Sequence, residues 1–106
     1  MSTKVGREEV YRVVDGERAF QDAHWQHGAS PEEPVLSIGE ELLLLEEYLH
    51  RAREEWTAEA ATEYRTLHMI RKIAAIAVRC MEHHGAPQRN TSDVPHKNPP
   101  LASGAE

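Results

Sequence analysis

The feature that most constrains this chain is a continuous helical stripe between residues 38 and 56. Apolar residues recur there at alternating spacings of four and three: Ile38, Leu42, Leu45, Leu49, Ala52 and Trp56. Because an α-helix completes a turn in 3.6 residues, this spacing places all six on one side of a helix. Ser37 and Glu40 form a capping-box pattern just before the stripe, which predicts where the helix begins.

One further helix is predicted on each side of this stripe. The first runs from about Arg7 to His27, and Gly16 is expected to bend or split it. The last begins between residues 58 and 64 and ends at His84, where Gly85 suits a C-cap. Its apolar stripe has five members: Leu67, Ile70, Ala74, Ala77 and Met81.

These patterns predict an all-α fold, an antiparallel helical bundle unit of three to four helices. Ile73, Ile76 and Cys80 widen the last helix's apolar face beyond what one partner helix covers. We therefore expect oligomerisation to complete the bundle, as a homodimer or a larger homo-oligomer. Residues 1–87 are predicted to form a single helical domain, and residues 88–106, which are polar and lack periodicity, a disordered tail.

Composition narrows the possible functions. The chain has 106 residues and a formal net charge of −6, which argues against direct nucleic-acid binding and against anionic membrane surfaces. No apolar run is long enough to span a bilayer, and the N-terminus lacks a secretory signal pattern. The single cysteine, Cys80, excludes an internal disulfide, so we expect a reduced, cytoplasmic protein.

Acidic doublets on the middle helix are the first candidate site. Glu46 and His50 are one turn apart, and Glu47 lies on the same side, so these groups could converge on a hard cation such as Mg²⁺. Glu40, Glu41 and Glu55 fall on the outer or opposite flank. The alternative interpretation is an ordinary solvated acidic face.

Basic residues on the last helix are the second candidate site. His68, Arg71, Lys72 and Arg79 lie away from its apolar stripe. In an antiparallel pair they could face Glu46 and Glu47. They would then form either interhelical ion pairs or a basic wall around a phosphate-sized cleft.

Three short motifs occur in an order typical of a known family. They are Glu17–Trp25 (ERAFQDAHW), Glu46–His50 (EEYLH) and Ile70–Glu82 (IRKIAAIAVRCME). Over residues 15 to 85 the chain resembles the MazG-like branch of the all-α nucleoside triphosphate pyrophosphohydrolases, in particular its short phage-encoded members.

The resemblance implies a set of site residues. Glu46 and Glu47 match the first two carboxylates that bind magnesium in the family, and His50 stands where a third glutamate is expected. Met69 and Lys72 occupy the positions of the later acidic pair, so two of five carboxylates are kept. The ligand-binding residues would be these six: Glu17, Gln21, Trp25, His68, Arg71 and Lys72.

Three functions follow as hypotheses. The first is a protein that binds a nucleotide or a nucleotide-derived phosphate ligand without turnover, as in phage-type nucleotide sequestration. The second is a magnesium-dependent nucleoside triphosphate pyrophosphohydrolase. The third is an acidic helical module that contacts a host protein. Because Lys72 would repel a cation and pair with Glu46 or Glu47, the first hypothesis is favoured.

Overall fold

Three α-helices form the structure, a computed structural model that describes residues 4–25, 32–58 and 62–90. They are α1 (Arg7–His24), α2 (Ile38–Thr57) and α3 (Thr62–His84), and no strand occurs in the described ranges. The predicted all-α class is confirmed for this part of the chain. Residues 88–90 lie outside any helix and are exposed, and the rest of the predicted tail, 91–106, lies outside the described residues.

The predicted helix ends at Ser37 and Gly85 are confirmed. The Ser37 hydroxyl accepts a hydrogen bond from the Glu40 N–H at 3.1 Å, and the Glu40 carboxylate accepts one from the Ser37 N–H at 2.8 Å. Gly85 has φ of 123°, and its N–H donates to the Met81 carbonyl at 2.8 Å. A side chain at this φ would be strained, so glycine is the residue that lets α3 stop there.

Helix α1 is continuous through Gly16, so the prediction that this glycine splits it is wrong. The helix ends at His24, where the extended backbone of Trp25 closes it with an N–H donated to the Gln21 carbonyl at 2.7 Å. The predicted end, His27, lies outside the described residues.

Helix α3 is central, because it packs against both α1 and α2. It runs antiparallel to α2. Three contacts in antiparallel order show this: the Leu36 carbonyl with His84, Glu41 with Arg79, and Glu55 with Arg65. These contacts confirm the predicted antiparallel pair.

The buried part of the described chain is small and largely polar. Its buried hydrophobic residues are Ala52, Ala75 and Ile76. Five buried residues are polar or charged: Glu17, Arg18, Gln21, Glu41 and Arg79. Polar and charged side chains therefore outnumber apolar ones among the buried residues of the described chain.

Helix α2 is turned relative to the orientation expected from its stripe. Four stripe residues that were expected to form the core are half-exposed: Ile38, Leu42, Leu49 and Trp56. Helix α2 instead faces α3 through Glu41, which is fully buried, and Ala52. The placement of Glu41 on the outer flank is thus wrong, since the buried side, which includes the stripe residue Ala52, lies roughly 50° around the helix from the centre of the stripe.

Helix α3 is also turned relative to the orientation expected from its stripe. Its stripe residues Leu67, Ile70 and Met81 are exposed, whereas Ile76 is fully buried within a single copy of the chain. The expectation that Ile76 contributes to an oligomer surface is therefore wrong, because its side chain already fills the intramolecular core.

Candidate functional site: a groove between α1 and α3

Glu41 and Arg79 form the innermost ion pair, which joins α2 to α3. Arg79 donates from Nη2 and Nε to the two oxygens of Glu41, at 2.7 and 3.2 Å. Both side chains are almost completely buried. The Arg79 guanidinium also lies over the indole of Trp25, with 4.7 Å from Cζ to the ring centroid, a cation–π geometry. This cluster fixes the register of the helices at one end of the molecule.

A second ion pair joins α1 to α3. Arg18 donates from Nε and Nη2 to the Glu82 carboxylate at 2.9 and 2.8 Å, and Asp22 lies 3.0 Å from Nη2. The hydrogen bonds from Arg18 hold the pKa of Glu82 below its usual value, and those to Glu82 raise the pKa of Arg18. Gln21 accepts a longer bond from Arg18 at 3.4 Å and is buried.

A third ion pair also joins α1 to α3, about three turns earlier on α3 than Glu82. Arg71 donates from Nε to the Glu17 carboxylate at 2.7 Å, and its Nη1 contacts Nδ1 of His68. The His68 ring in turn meets Tyr64 edge-on, with 4.4 Å between ring centroids. Glu17 is nearly buried, while about a quarter of the Arg71 side chain stays exposed.

Beside this third pair, α1 and α3 enclose an open groove of about 420 Å³. Six residues line it: Val13, Gly16, Glu17, Phe20, Arg71 and Lys72. We call it the α1–α3 groove. Its volume lies within the range of ~300–1,000 Å³ that small-molecule sites occupy.

The α1–α3 groove is cationic in an acidic protein. Arg71 and Lys72 contribute two positive charges and Glu17 one negative charge, so the lining carries a net charge of +1. Within the described residues Lys72 forms no ion pair, which leaves its ammonium available to an anion. The chain as a whole carries −6.

An aromatic platform forms one wall of the groove. The Phe20 ring is about half exposed and stacks on His24, with 4.1 Å between centroids and 22° between planes. A planar ring could extend this stack on the open face of Phe20. Val13 lies two turns before Phe20 on α1 and is 44% exposed. It adds apolar surface to the same wall.

Gly16 forms the floor between these residues. A Cβ built on Gly16 would meet no atom within 4 Å, so nothing in the described chain needs a glycine there. Glycine in a helix interior costs about 1 kcal/mol relative to alanine. The fold of the described chain does not require a glycine here. The absence of a side chain at the floor of a cationic groove therefore favours close approach of a ligand.

The predicted metal ligands are separate from this groove. Glu47 accepts a hydrogen bond from Arg51 at 3.0 Å, and Nε2 of His50 lies 3.1 Å from a Glu54 carboxylate oxygen. Glu46 is exposed. Among the described residues no group of three or more His, Cys, Asp or Glu side chains is placed to hold a metal ion. Binding of Mg²⁺ at Glu46, Glu47 and His50 stays a prediction.

The basic residues of α3 have partners other than the predicted Glu46 and Glu47. Within residues 4–25, 32–58 and 62–90, Lys72 pairs with neither Glu46 nor Glu47, because it lines the groove next to α1. Arg71 and Arg79 pair instead with Glu17 and Glu41. The basic residues therefore meet carboxylates that the helical wheel had not assigned to them.

The six predicted ligand-binding residues divide into two groups. Glu17, Arg71 and Lys72 line the groove, and His68 adjoins it through Arg71. Gln21 is buried at 1% exposure, and Trp25 packs on Arg79 and near Tyr48, so both lie away from it. The groove residues that sequence reasoning missed are Val13, Gly16 and Phe20. Their i, i+3, i+7 spacing on α1 was the available signal.

No protein-family model matches the chain, and no curated protein or solved structure matches it either. The MazG-like resemblance therefore stays an expectation from the motifs. None of the helices in the described part of the chain is long and apolar enough to cross a membrane.

Proposed function

We propose that this protein binds a nucleotide, or another nucleotide-derived phosphate ligand, in the α1–α3 groove, and that it does so as a binding protein without turnover. The observation that carries the proposal is the Lys72 ammonium, which forms no ion pair with residues 4–25, 32–58 or 62–90, beside the exposed ring of Phe20. Nucleotides combine a planar ring with an anionic phosphate, and this lining offers a partner for each part.

The phosphate end of such a ligand would meet Lys72 first. Arg71 is already paired with Glu17 at 2.7 Å, so part of its charge is neutralised. Its guanidinium has five N–H donors, of which Glu17 uses one, so it can still donate to a phosphate oxygen. Metal is not needed in this arrangement, because the two cations supply the positive charge.

The ring of the ligand would lie against α1. Phe20 presents a half-exposed ring, and Gly16 removes the side chain that would otherwise fill the space beside it. Stacking of a base on an aromatic side chain contributes about 1–3 kcal/mol in single-stranded nucleic-acid binding, and a nucleotide would gain a similar contribution here. This contact tolerates any base, so the proposal does not select one.

The same proposal keeps the earlier partner expectations. We expect a homo-oligomer to be the binding form, in the cytoplasm, with a host protein as an alternative partner of the acidic surface. The MazG-like resemblance supports nucleotide chemistry in general. The replacement of three of the family's five carboxylates, by His50, Met69 and Lys72, supports binding over hydrolysis.

A thermal-shift screen of nucleoside mono-, di- and triphosphates, each with Mg²⁺ and with EDTA, tests the proposal. A ligand at a hundred times its dissociation constant should add ~2.7 kcal/mol to the free energy of unfolding. We expect stabilisation by at least one nucleotide in EDTA, with no release of pyrophosphate when Mg²⁺ is present.

Two variants locate the binding. Lys72→Gln should abolish the shift, because it removes the unpaired cation of the groove. Arg65→Gln removes an equal charge from the same helix, at a residue whose side chain is 58% exposed and outside the groove. Equal loss in both variants would mean that the nucleotide responds to general charge, and the groove assignment would be wrong.

A further inference from the structure

Among the six described residues that line the α1–α3 groove, Glu17 alone is acidic. Its Oε1 accepts a hydrogen bond from Nε of Arg71 at 2.7 Å. Within residues 4–25, 32–58 and 62–90 the second oxygen, Oε2, has no hydrogen-bond donor. Oε2 is also not one of the buried polar atoms of these ranges that lack a partner, so it reaches the open space of the groove. The groove thus contains an acceptor that the described chain does not use.

The free oxygen of Glu17 is held in place. The Glu17 side chain is only 9% exposed, and its ion pair with Arg71 ties it to α3. A side chain that is covered and paired in this way keeps one rotamer, so Oε2 points into the groove in a fixed direction. An acceptor that is already ordered loses little side-chain entropy when a ligand donates to it.

Glu17 lies between the aromatic and the cationic parts of the groove. Glu17 and Phe20 are three residues apart on α1, which places them roughly 60° apart around the helix. Glu17 is on the side that faces α3, as its pair with Arg71 shows. From α1 to α3 the lining therefore runs in the order Phe20, Glu17, then Arg71 and Lys72.

A nucleotide has its parts in the same order, because the sugar links the planar base to the phosphate. With the base against Phe20 and the phosphate at Lys72, the sugar lies beside Glu17. A carboxylate accepts hydrogen bonds and repels phosphate, so its partner in the ligand must be a neutral donor. The hydroxyls of a sugar are such donors, and an acidic residue binds a ribose hydroxyl in the dinucleotide-binding folds for this reason.

We propose that the ligand of the α1–α3 groove is a ribonucleotide, and that Glu17 selects it by accepting hydrogen bonds from the ribose hydroxyls. The inference rests on the proposed nucleotide binding and adds the class of sugar to it. A ribose in a nucleoside monophosphate offers two neighbouring hydroxyls, and Oε2 has two lone pairs to accept them, whereas a deoxyribose offers one. The loss of one hydrogen bond to a charged acceptor corresponds to about 10-fold in affinity.

Calorimetric titration in EDTA compares each ribonucleotide with its deoxy counterpart. The probes are adenosine monophosphate and uridine monophosphate, each beside the matching deoxynucleotide. We expect the ribonucleotide of each pair to bind wild type about 10-fold more tightly. Uracil lacks the exocyclic amino group of adenine, so the same preference in both pairs shows that the sugar, and not the base, donates to Glu17.

Glu17→Gln separates selection of the sugar from binding of the phosphate. It removes a negative charge beside the phosphate, so both members of a pair should still bind, but their affinities should become nearly equal. The matched control is Glu8→Gln, which removes a carboxylate from an exposed residue of α1 outside the groove and should keep the preference for ribose. If Glu17→Gln fails to fold, the two pairs measured on wild type decide.

Failure of the inference and failure of the proposed function give different results. Equal binding of ribonucleotide and deoxynucleotide by wild type, with loss of both in Lys72→Gln, would overturn the inference and leave the nucleotide site in place. A ribose preference that survives in folded Glu17→Gln would also overturn it, because another residue would then select the sugar. Absence of binding for all four probes and for the triphosphates would remove the proposed function and the inference together.

Discussion

The inner and outer sides of α3 have opposite character. The inner side, which meets α1 and α2, contains buried charge: Arg79 with Glu41, and Arg71 with the nearly buried Glu17. The outer side presents Leu67, Ile70 and Met81 to solvent. At these positions the helix buries Arg79 and exposes Leu67, Ile70 and Met81, which is the reverse of the usual distribution.

This contrast separates two tasks. Buried ion pairs contribute little net stability but are intolerant of misplacement, so they fix which residues face each other. Apolar burial is non-directional, so the exposed Leu67, Ile70 and Met81 do not fix which residues face each other. The α1–α3 groove lies at the margin of the inner side. There Arg71 is paired with Glu17, and Lys72 forms no ion pair with the described residues.

Removing Glu41 should have the largest effect on the inner side. Glu41→Ala leaves the guanidinium of Arg79 buried without its carboxylate, and breaking a buried pair in this way costs about 3–5 kcal/mol. Urea unfolding monitored by circular dichroism would measure the loss of free energy of unfolding.

A double variant shows whether the pair supplies stability or only specificity. Glu41→Leu with Arg79→Met replaces both charges by apolar groups, which is often neutral or stabilising. We expect the double variant to recover most of the stability lost in Glu41→Ala. A double variant as unstable as the single one would show that the pair itself holds the fold, and the contrast between the two sides would fail.

A side chain at Gly16 should have opposite effects on the free energy of unfolding and on ligand binding. A Cβ at Gly16 meets nothing within 4 Å, so alanine should raise the free energy of unfolding by about 0.5–1 kcal/mol. The bulkier Gly16→Leu should fill the groove floor and weaken nucleotide binding, as measured by calorimetric titration. Unchanged binding in Gly16→Leu would place the ligand elsewhere.

The smallest effect is expected at the Arg18–Glu82 pair. Its hydrogen bonds lower the pKa of Glu82 below 4.5 in the folded state, so the stabilisation is complete above that pH and is lost as pH falls through the folded pKa. Because Glu82 is about half exposed, the contribution should stay below about 1 kcal/mol.

Glu82→Gln isolates this contribution. The difference in free energy of unfolding between wild type and Glu82→Gln should be measurable at neutral pH and should shrink as the pH falls through the lowered pKa of Glu82. A difference that persists unchanged at low pH would show that the glutamine disturbs packing instead of removing a charge.

Local signals in the sequence predicted the helices well. Two signals mark helix ends: Ser37 with Glu40, and Gly85 after His84. Their hydrogen bonds involve residues close in sequence, so they form in any tertiary context. The third helix was correctly expected to begin between residues 58 and 64.

The side of each helix that is buried could not be predicted in the same way. An apolar stripe does not by itself show which residues of α2 the chain's own helices cover, and Ile38, Leu42 and Trp56 stay about half exposed. Glu41 was placed outside because the apolar stripe was used as the direction of the core, and its partner Arg79 is 38 residues away in sequence. For the same reason the sequence directed attention to Glu46 and Glu47, whereas the groove lies on the other side of α3, next to α1.

Equilibrium binding of a nucleoside triphosphate in EDTA and in Mg²⁺, to wild type, Lys72→Gln and Glu46→Ala, tests the central claim most directly. We predict that wild type and Glu46→Ala bind equally in EDTA and that Lys72→Gln loses binding in both conditions. Binding that requires Mg²⁺, is lost in Glu46→Ala and survives in Lys72→Gln would contradict the account and assign the site to the acidic doublet of α2.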